Sequence, residues 1–441
     1  MTKNKCASII LYRTCVLIIA ERIIYMQRVI LHSDLNNFFA SVECLSHPEL
    51  LNKPVAVAGN PEARHGIILA KNEKAKAMGV RTGEPIWQAR QKCPGIVFLP
   101  PHYELYEKYS RLVQRIYLDY TDMIEPFGMD ECWLDVTGSV GLFGDGRAIA
   151  DSIRERVKKE LGLTVSVGVS FNKVFAKLGS DMKKPDATTV INEDDFRDKV
   201  WCLPASDMLF VGGKTFDKLR KIGLMTIGDV ARLDKTVMKG LLGKNGILLH
   251  DYANGLDMSP VAVYGDAPPP KSIGNSTTTY RDLTERDDLD IVLYRLCESV
   301  SSRMRRERAV CCTVQLYVRY KDLVGVERQM PLEYPNRTAR SLYDTAWKLI
   351  RKHDLLYAPI RSLGVRGCDL IRDADEQLSF MPEICKIQRA ELMENTVDAL
   401  REKYGYKAIV RGIMLTDGML AGDDHGFTNP FGHPQRRSVN A

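Results

Sequence analysis

The sequence predicts a multidomain α/β chain, and three observations carry that reading. Strand and helix patterns alternate from Val29 to about Asn192. A stretch of short helices, about 193 to 258, follows. Beyond the run Pro268-Pro269-Pro270, strands again alternate with two helical stripes. At 441 residues the chain has room for roughly two to four domains. Its apolar and charged fractions, 45% and 27%, are ordinary for a soluble globular protein, so these segments can be read as folded elements. A formal net charge of +6 permits nucleic acid as a partner without demanding it. The 11 cysteines are scattered, with only Cys311 and Cys312 adjacent and no Cys-x-x-Cys. That pattern points to reduced thiols in the cytoplasm, not to a zinc site or a disulfide framework.

In chain order, residues 1–26 come first. Ala7 to Tyr25 is rich in Ile, Leu and Val, but Arg13, Glu21 and Arg22 interrupt it. Its longest apolar run, Cys15 to Ala20, falls far short of the ~20 residues that span a bilayer. No clear cleavage site follows, and Met26 stands just before the first strand. The expectation is a non-native or disordered extension without stable membrane association; a helix with a partner and a membrane anchor are the alternatives. Val29 to Leu35 reads as a strand ending on Asp34. Residues 47–102 read as an inserted small unit that closes at Pro100-Pro101. Glu104 to Tyr120 carries Leu105, Tyr109, Leu112 and Ile116 at helical spacing. Ile124 to Val136 reads as a short hairpin with Asp130 and Glu131 at its turn, and Leu163 to Ser170 as a strand.

If the two acidic segments are neighbours in one sheet, Asp34, Asp130 and Glu131 converge. Three carboxylates at one point repel one another unless cations sit among them. Hard oxygen donors favour Mg²⁺. Such a cluster suits in-line phosphoryl transfer with two metals.

These two segments, His32-Ser33-Asp34-Leu35-Asn36-Asn37-Phe38-Phe39 and Gly128-Met129-Asp130-Glu131-Cys132, resemble the catalytic motifs of the Y-family DNA polymerases, the DinB/UmuC type that copies damaged templates. The resemblance is collinear over roughly residues 27 to 380. It implies a right-hand polymerase: an α/β palm (27–46 and 103–192), small fingers (47–102), a helical thumb with helix-hairpin-helix-like turns (193–258), a linker (259–271) and an α+β little finger (272–372). A clamp-peptide region with a C-terminal helix (373–416) and a disordered tail (417–441) would follow. The implied substrates are primer–template DNA and deoxynucleoside triphosphates, with low fidelity and no proofreading exonuclease.

The resemblance also assigns roles. Asp34, Asp130 and Glu131 would be the catalytic metal carboxylates, joined by the Leu35 carbonyl, with two Mg²⁺ per site. Phe39 would be the steric gate that excludes a ribose 2′-hydroxyl. Lys184, Lys76, Asn37 and Phe38 would meet the triphosphate. The fingers depart from the family: Glu73 and Lys76 stand where a Tyr and an Arg usually contact the nucleotide. Glu73 has the wrong sign for a phosphate, so it either turns away, leaving Lys71, Lys74 or Lys76 to act, or weakens nucleotide binding. Asn36 stands where many members have Asp, with little expected effect on metal binding.

For DNA, Gly212, Gly213, Lys214 and Gly243 lie in glycine turns between short helices, which would offer backbone N–H groups to phosphates. Phe210 replaces the first glycine of one turn. A nucleotide P-loop is rejected there, because Met208 stands where its first glycine belongs. The little finger is basic by roughly five charges. Its strand from Ala309 reads with Val310, Cys312, Val314, Leu316 and Val318 on the buried face. Arg319, Lys321, Arg328, Arg361 and Arg366 are its candidate phosphate contacts. Gln377-Leu378-Ser379-Phe380 resembles the peptide that docks bacterial polymerases on a sliding clamp. Tyr406 to Met414 reads as extended. Two other classes share some of these features: a two-metal nuclease or nucleotidyl cyclase, and a non-catalytic DNA- or clamp-binding protein.

Overall fold

The computed structural model describes residues 27–60, 64, 66–266, 268–372 and 381–422. The expected N-terminal extension and the Gln377, Leu378, Ser379 and Phe380 peptide lie outside the described residues.

Strand β1 (Ile30–Leu35) leads into helix α1 (Phe38–Ser46). A small unit follows: β2 (Val55–Ala58), β3 (Ile68–Lys71), α2 (Glu73–Ala77), α3 (Ile86–Lys92) and β4 (Val97–Leu99), with β2 between β3 and β4. The chain returns through α4 (Tyr103–Leu118), the hairpin β5 (Ile124–Pro126) and β6 (Glu131–Asp135), α5 (Val140–Phe143), α6 (Gly146–Leu161), β7 (Val165–Ser170), α7 (Lys173–Met182) and β8 (Thr188–Ile191). These strands form one sheet in the order β5-β6-β1-β7-β8.

The central strand β1 is buried at every position because helices cover both faces. Its side chains alternate with period two. Leu31 and Leu35 join Ile149, Ile153 and Tyr117 in the core under α4 and α6. Ile30 packs with Trp133 and Ala176 on the α7 side. The period therefore points His32 and Asp34 at α7, as it does Glu131 on β6. On α4 the buried stripe is Tyr106, Ser110, Val113, Ile116 and Tyr117; of the expected residues Ile116 belongs to it, while Leu105, Tyr109 and Leu112 are half-buried. The helix turns this face inward because Tyr117 donates to Ser33 (2.8 Å) and Tyr106 to the buried Glu43.

Helices α8 (Phe196–Val200), α9 (Gly213–Lys221), α10 (Ile227–Arg232), α11 (Lys235–Leu242) and α12 (Lys244–Ala253) close around Val200, Leu219, Val230, Met238 and Leu249. The following proline-rich segment is pinned across the first sheet. Val261 is buried beside Trp133, and the Ala262 N–H donates to Glu125 at 3.0 Å.

The last unit comprises β9 (Ser272–Leu283), α13 (Arg286–Arg306), β10 (Ala309–Tyr320), β11 (Gly325–Asn336), α14 (Ala339–Lys352) and β12 (Ile360–Arg372), in sheet order β11-β10-β12-β9. The buried face of β10 is Ala309 and Cys311, then Val314, Leu316 and Val318; Val310 and Cys312 are half-buried. The β10–β11 register shifts between Cys311 and Thr313, whose partners are Asn336 and Pro331, and the burial faces of β10 exchange there.

Beyond it, α15 (Pro382–Tyr404) lies along this unit. Arg305 binds Glu394 and Asp398 from it, and the pair Arg401 and Arg411 holds Glu298 at 2.9 and 2.6 Å. Residues 406–408 and 412–415 are 3₁₀ turns, not an extended segment. The disorder expected from residue 417 does not hold for residues 417–422. Asp417 accepts from Tyr280 (2.8 Å), and α16 (Gly418–Ala421) inserts Leu420 into the core. The charge of Arg281, shared between Asp288 and Asp417, fixes that end against the unit.

Candidate active site

The β1–β6 register sets Asp34 opposite Glu131. The Leu35 N–H donates to the Asp130 carbonyl at 2.9 Å, carrying the pairing one residue past the strand. Gly128, at φ +149°, lets the hairpin reverse so that Asp130 arrives beside the other two. The three predicted carboxylates therefore share one sheet end.

Helix α7 covers them. Its seat is a backbone contact: a Cβ on Gly168 would lie 1.9 Å from the Ala176 carbonyl, and one on Gly179 would lie 3.2 Å from the Gly168 Cα. At Gly168 only glycine allows this approach, and at Gly179 any side chain would be tight. It brings Lys177 onto Glu131 and Lys184, just beyond the helix, onto Asp34 at 2.6 Å and Asp181 at 2.8 Å. Gly168→Ala should push α7 off the sheet and cost about 1–3 kcal/mol by overpacking against a carbonyl that cannot move aside. Denaturant unfolding checks it; an unchanged midpoint would refute this account of the seat.

Electrostatics follow from burial. Asp34 is 5% exposed; its burial and the nearby Glu131 and Asp130 raise its carboxyl to about 7, against the pull of Lys184. Burial and Glu131 likewise raise Asp130. Burial works against Glu131 too, but His32 and Lys177 hold its carboxyl down at about 2. His32 is fully buried, which lowers its pKa and keeps the ring neutral. Its nitrogens divide between Ser180 (2.8 Å) and Glu131 (3.4 Å), and its ring meets the edge of Trp133.

Among the described residues, no three His, Cys, Asp or Glu side chains already enclose a metal-sized space. Asp34 and Glu131 are each turned onto a lysine. The donor set nonetheless fits a hard divalent cation: carboxylate oxygens with a strand-end carbonyl, in a place where burial and mutual repulsion already favour positive charge.

Phe39 lies on α1 with its ring stacked on Tyr106 (centroids 4.1 Å apart, 10° between planes) and edge-on to Tyr103. Tyr106 is anchored in turn by Glu43, which also takes a 2.9 Å bond from His102. The Phe38 side chain is core, so only its main chain is available to a ligand. Asn37 occupies the N-cap of α1 at φ +52° but does not cap it; its amide donates to Glu73 at 3.1 Å. Lys76 Nζ lies 3.4 Å from the same oxygen. Glu73 thus does not turn away. Asn36 is buried and bonded to Thr164 and Ser166 on and beside β7.

Gly212 is the N-cap of α9, with Gly213 and Lys214 in its first turn. Gly243, at φ +64°, joins α11 to α12. A Cβ on any of the three glycines would meet nothing within 4 Å, so these turns are open. On the last sheet, Arg366 pairs with Gln315 and is exposed on the face away from the helices, where the alternation also places Arg319. Arg328 pairs with Leu316 and so belongs to the helix-side face of an edge strand.

Sequence reasoning missed His32, Lys177 and Asp181. For the last two a signal was available: Lys173, Lys177 and Asp181 recur at helical spacing.

Residues 33–181 match the impB/mucB/samB family, and residues 270–380 match that family's C-terminal domain. The DNA polymerase IV of Acetivibrio thermocellus is 50% identical over 393 residues, covering 89% of this chain and 98% of that protein. The DNA polymerase IV 1 of Bacillus subtilis is 36% identical over 418 residues, covering 93% and 99%. A solved Y-family DNA polymerase chimera superposes with a TM-score of 0.69 at 22% identity, covering 78% of this chain and 100% of its own.

Proposed function

The chain belongs to the impB/mucB/samB family of Y-family DNA polymerases, and from that premise we propose how its residues perform template-directed DNA synthesis. It is a DNA-directed DNA polymerase of the lesion-bypass type, related to the enzymes named DNA polymerase IV. Metal dependence and the lack of a proofreading exonuclease are features of this family.

The proposed division is a palm built on the β5-β6-β1-β7-β8 sheet, fingers at 47–102, a thumb at 193–258 and a little finger at 272–372. Asp34, Asp130, Glu131 and the Leu35 carbonyl would hold two Mg²⁺. When bound, these cations would lower the pKa of the primer 3′-hydroxyl and offset charge on the triphosphate. Lys184 would leave Asp34 for the β and γ phosphates. Lys177 and His32 would keep Glu131 ionised and in place. The uncapped first turn of α1, with the N–H groups of Asn37 and Phe38, would face phosphate oxygens, aided by Lys76. Phe39 would lie against the sugar. The open turns at Gly212, Gly213, Lys214 and Gly243 would grip the duplex backbone, with Arg319 and Arg366 beyond them. Gln377, Leu378, Ser379 and Phe380 would dock on a sliding clamp. No described helix is long and apolar enough to cross a membrane.

One observation supports this reading above others: Asp34 pairs with Glu131 in the same register that bonds Leu35 to Asp130. The test is primer extension with Mg²⁺ and four deoxynucleotides on intact and damaged templates. Wild type should extend both. Asp130→Ala combined with Glu131→Ala should extend neither while still binding primer–template. Binding without extension by wild type would overturn the reading.

A further inference from the structure

Glu73 is the first residue of α2, in the small β2–β4 unit, yet its carboxylate reaches the larger sheet's catalytic turn. The Glu73 Oε1 atom accepts from Asn37 Nδ2 at 3.1 Å and lies 3.4 Å from Lys76 Nζ. Asn37 stands between the strand carrying Asp34 and the helix carrying Phe39. Its side chain leaves the first turn of that helix uncapped in order to meet Glu73. The neighbouring cations are engaged elsewhere: Lys71 donates to Thr82 at 3.1 Å and Lys74 to Asn52 at 3.2 Å. Lys76 is thus the cation of this segment that a carboxylate holds beside the nucleotide site.

We propose that Glu73 is a positioning residue that sets nucleotide affinity. It ties the small unit to the catalytic turn and keeps Lys76 paired, and an incoming triphosphate must take Lys76 from it. This rests on the polymerase reading above. The pair is about half exposed on both sides, so it is weak and can be displaced. A triphosphate carries more charge than one carboxylate and wins Lys76, but it does so facing a like charge that remains nearby. Glu73 touches no reacting atom. Its cost therefore falls on nucleotide binding, raising KM, and not on the chemical step.

Glu73→Gln keeps an oxygen for Asn37 and removes the charge. Single-nucleotide insertion kinetics on an undamaged primer–template should show KM lower by about two- to fivefold, with kcat unchanged within error. The gain should vanish in a Lys76→Gln background, because it comes through the freed lysine. An unchanged or higher KM in Glu73→Gln would overturn the proposal, as would a gain that persists without Lys76. The dissociation constant of a nonhydrolysable deoxynucleoside triphosphate, measured on the same four proteins with primer–template bound, should follow the same order. A wild type that fails to extend primers would sink the polymerase reading, while the dissociation constants would still decide the role of Glu73.

Discussion

Asp34→Asn should lower primer extension by about 10³-fold or more, the loss expected when a charged ligand of a phosphoryl-transfer site becomes neutral. The same substitution should make the metal-free protein more stable at pH 8. The two effects share a cause. Burial raises the folded-state pKa of Asp34 to about 7, above the ~3.9 of an unfolded Asp. Between those values the folded protein holds a proton that the unfolded chain has released. The stabilisation from this proton is complete below about pH 4 and is lost as pH rises through about 7. Glu131 is shifted the other way, to about 2, so its contribution is complete above its ordinary range near pH 4 and flat between pH 5 and 8. The amide that replaces the Asp34 carboxyl in the variant would never ionise. Thermal unfolding in chelator should therefore give a Tm that falls with pH more steeply in wild type than in the variant over pH 5–8. Equal slopes would refute burial as the source of the shift. At limiting metal, loading should weaken as pH drops below about 7, because binding must then displace a proton from Asp34.

The carboxylates were legible because the two segments that carry them resemble a known family's catalytic motifs, with Asp34 near the end of β1 and Glu131 at the start of β6. Their shared origin on one sheet end then needed only that two strands be neighbours. The lysines were harder to see. Lys177 matters through its approach to Glu131, and that approach depends on Gly168 and Gly179 bringing α7 down to backbone contact, which no local pattern announces. The β10 faces were misread for a similar reason. Val310 and Cys312 continue an unbroken alternation, yet the faces exchange at a register shift against β11, which leaves no mark in hydropathy. On α4, Tyr106 and Tyr117 are buried through hydrogen bonds to Glu43 and Ser33, so of a stripe drawn from apolar residues alone only Ile116 reached the core, with Leu105, Tyr109 and Leu112 left half-buried. Asp417 to Ala421 looked like the start of a glycine-rich tail. Its order comes from two distant side chains, Tyr280 and Arg281, and from a pocket for Leu420.

Replacing Phe39 with Val should open the site to ribonucleotides, lowering discrimination against them by about 10²–10³-fold. The ring is held firmly enough to exclude a hydroxyl. It stacks on Tyr106 at 4.1 Å, and Tyr106 is fixed by a hydroxyl bond to the buried Glu43. A 2′-hydroxyl forced against it would meet overlap worth about 1–3 kcal/mol. It would also lose its water without finding a hydrogen-bond partner on the ring, at about 1–3 kcal/mol more. Together these give roughly 2–6 kcal/mol, and the fold-change above lies within that range. Val removes the ring and keeps an apolar side chain, so insertion of deoxynucleotides should fall far less than discrimination does. The measurement is the ratio of kcat/KM for a deoxynucleotide to that for the matching ribonucleotide, in wild type and variant. If both values fell equally, the ring would be only a packing element of α1. A selective gain for the ribonucleotide would instead place the sugar against Phe39. It would also orient the triphosphate along the uncapped turn at Asn37 and Phe38, toward Lys76 and Glu73.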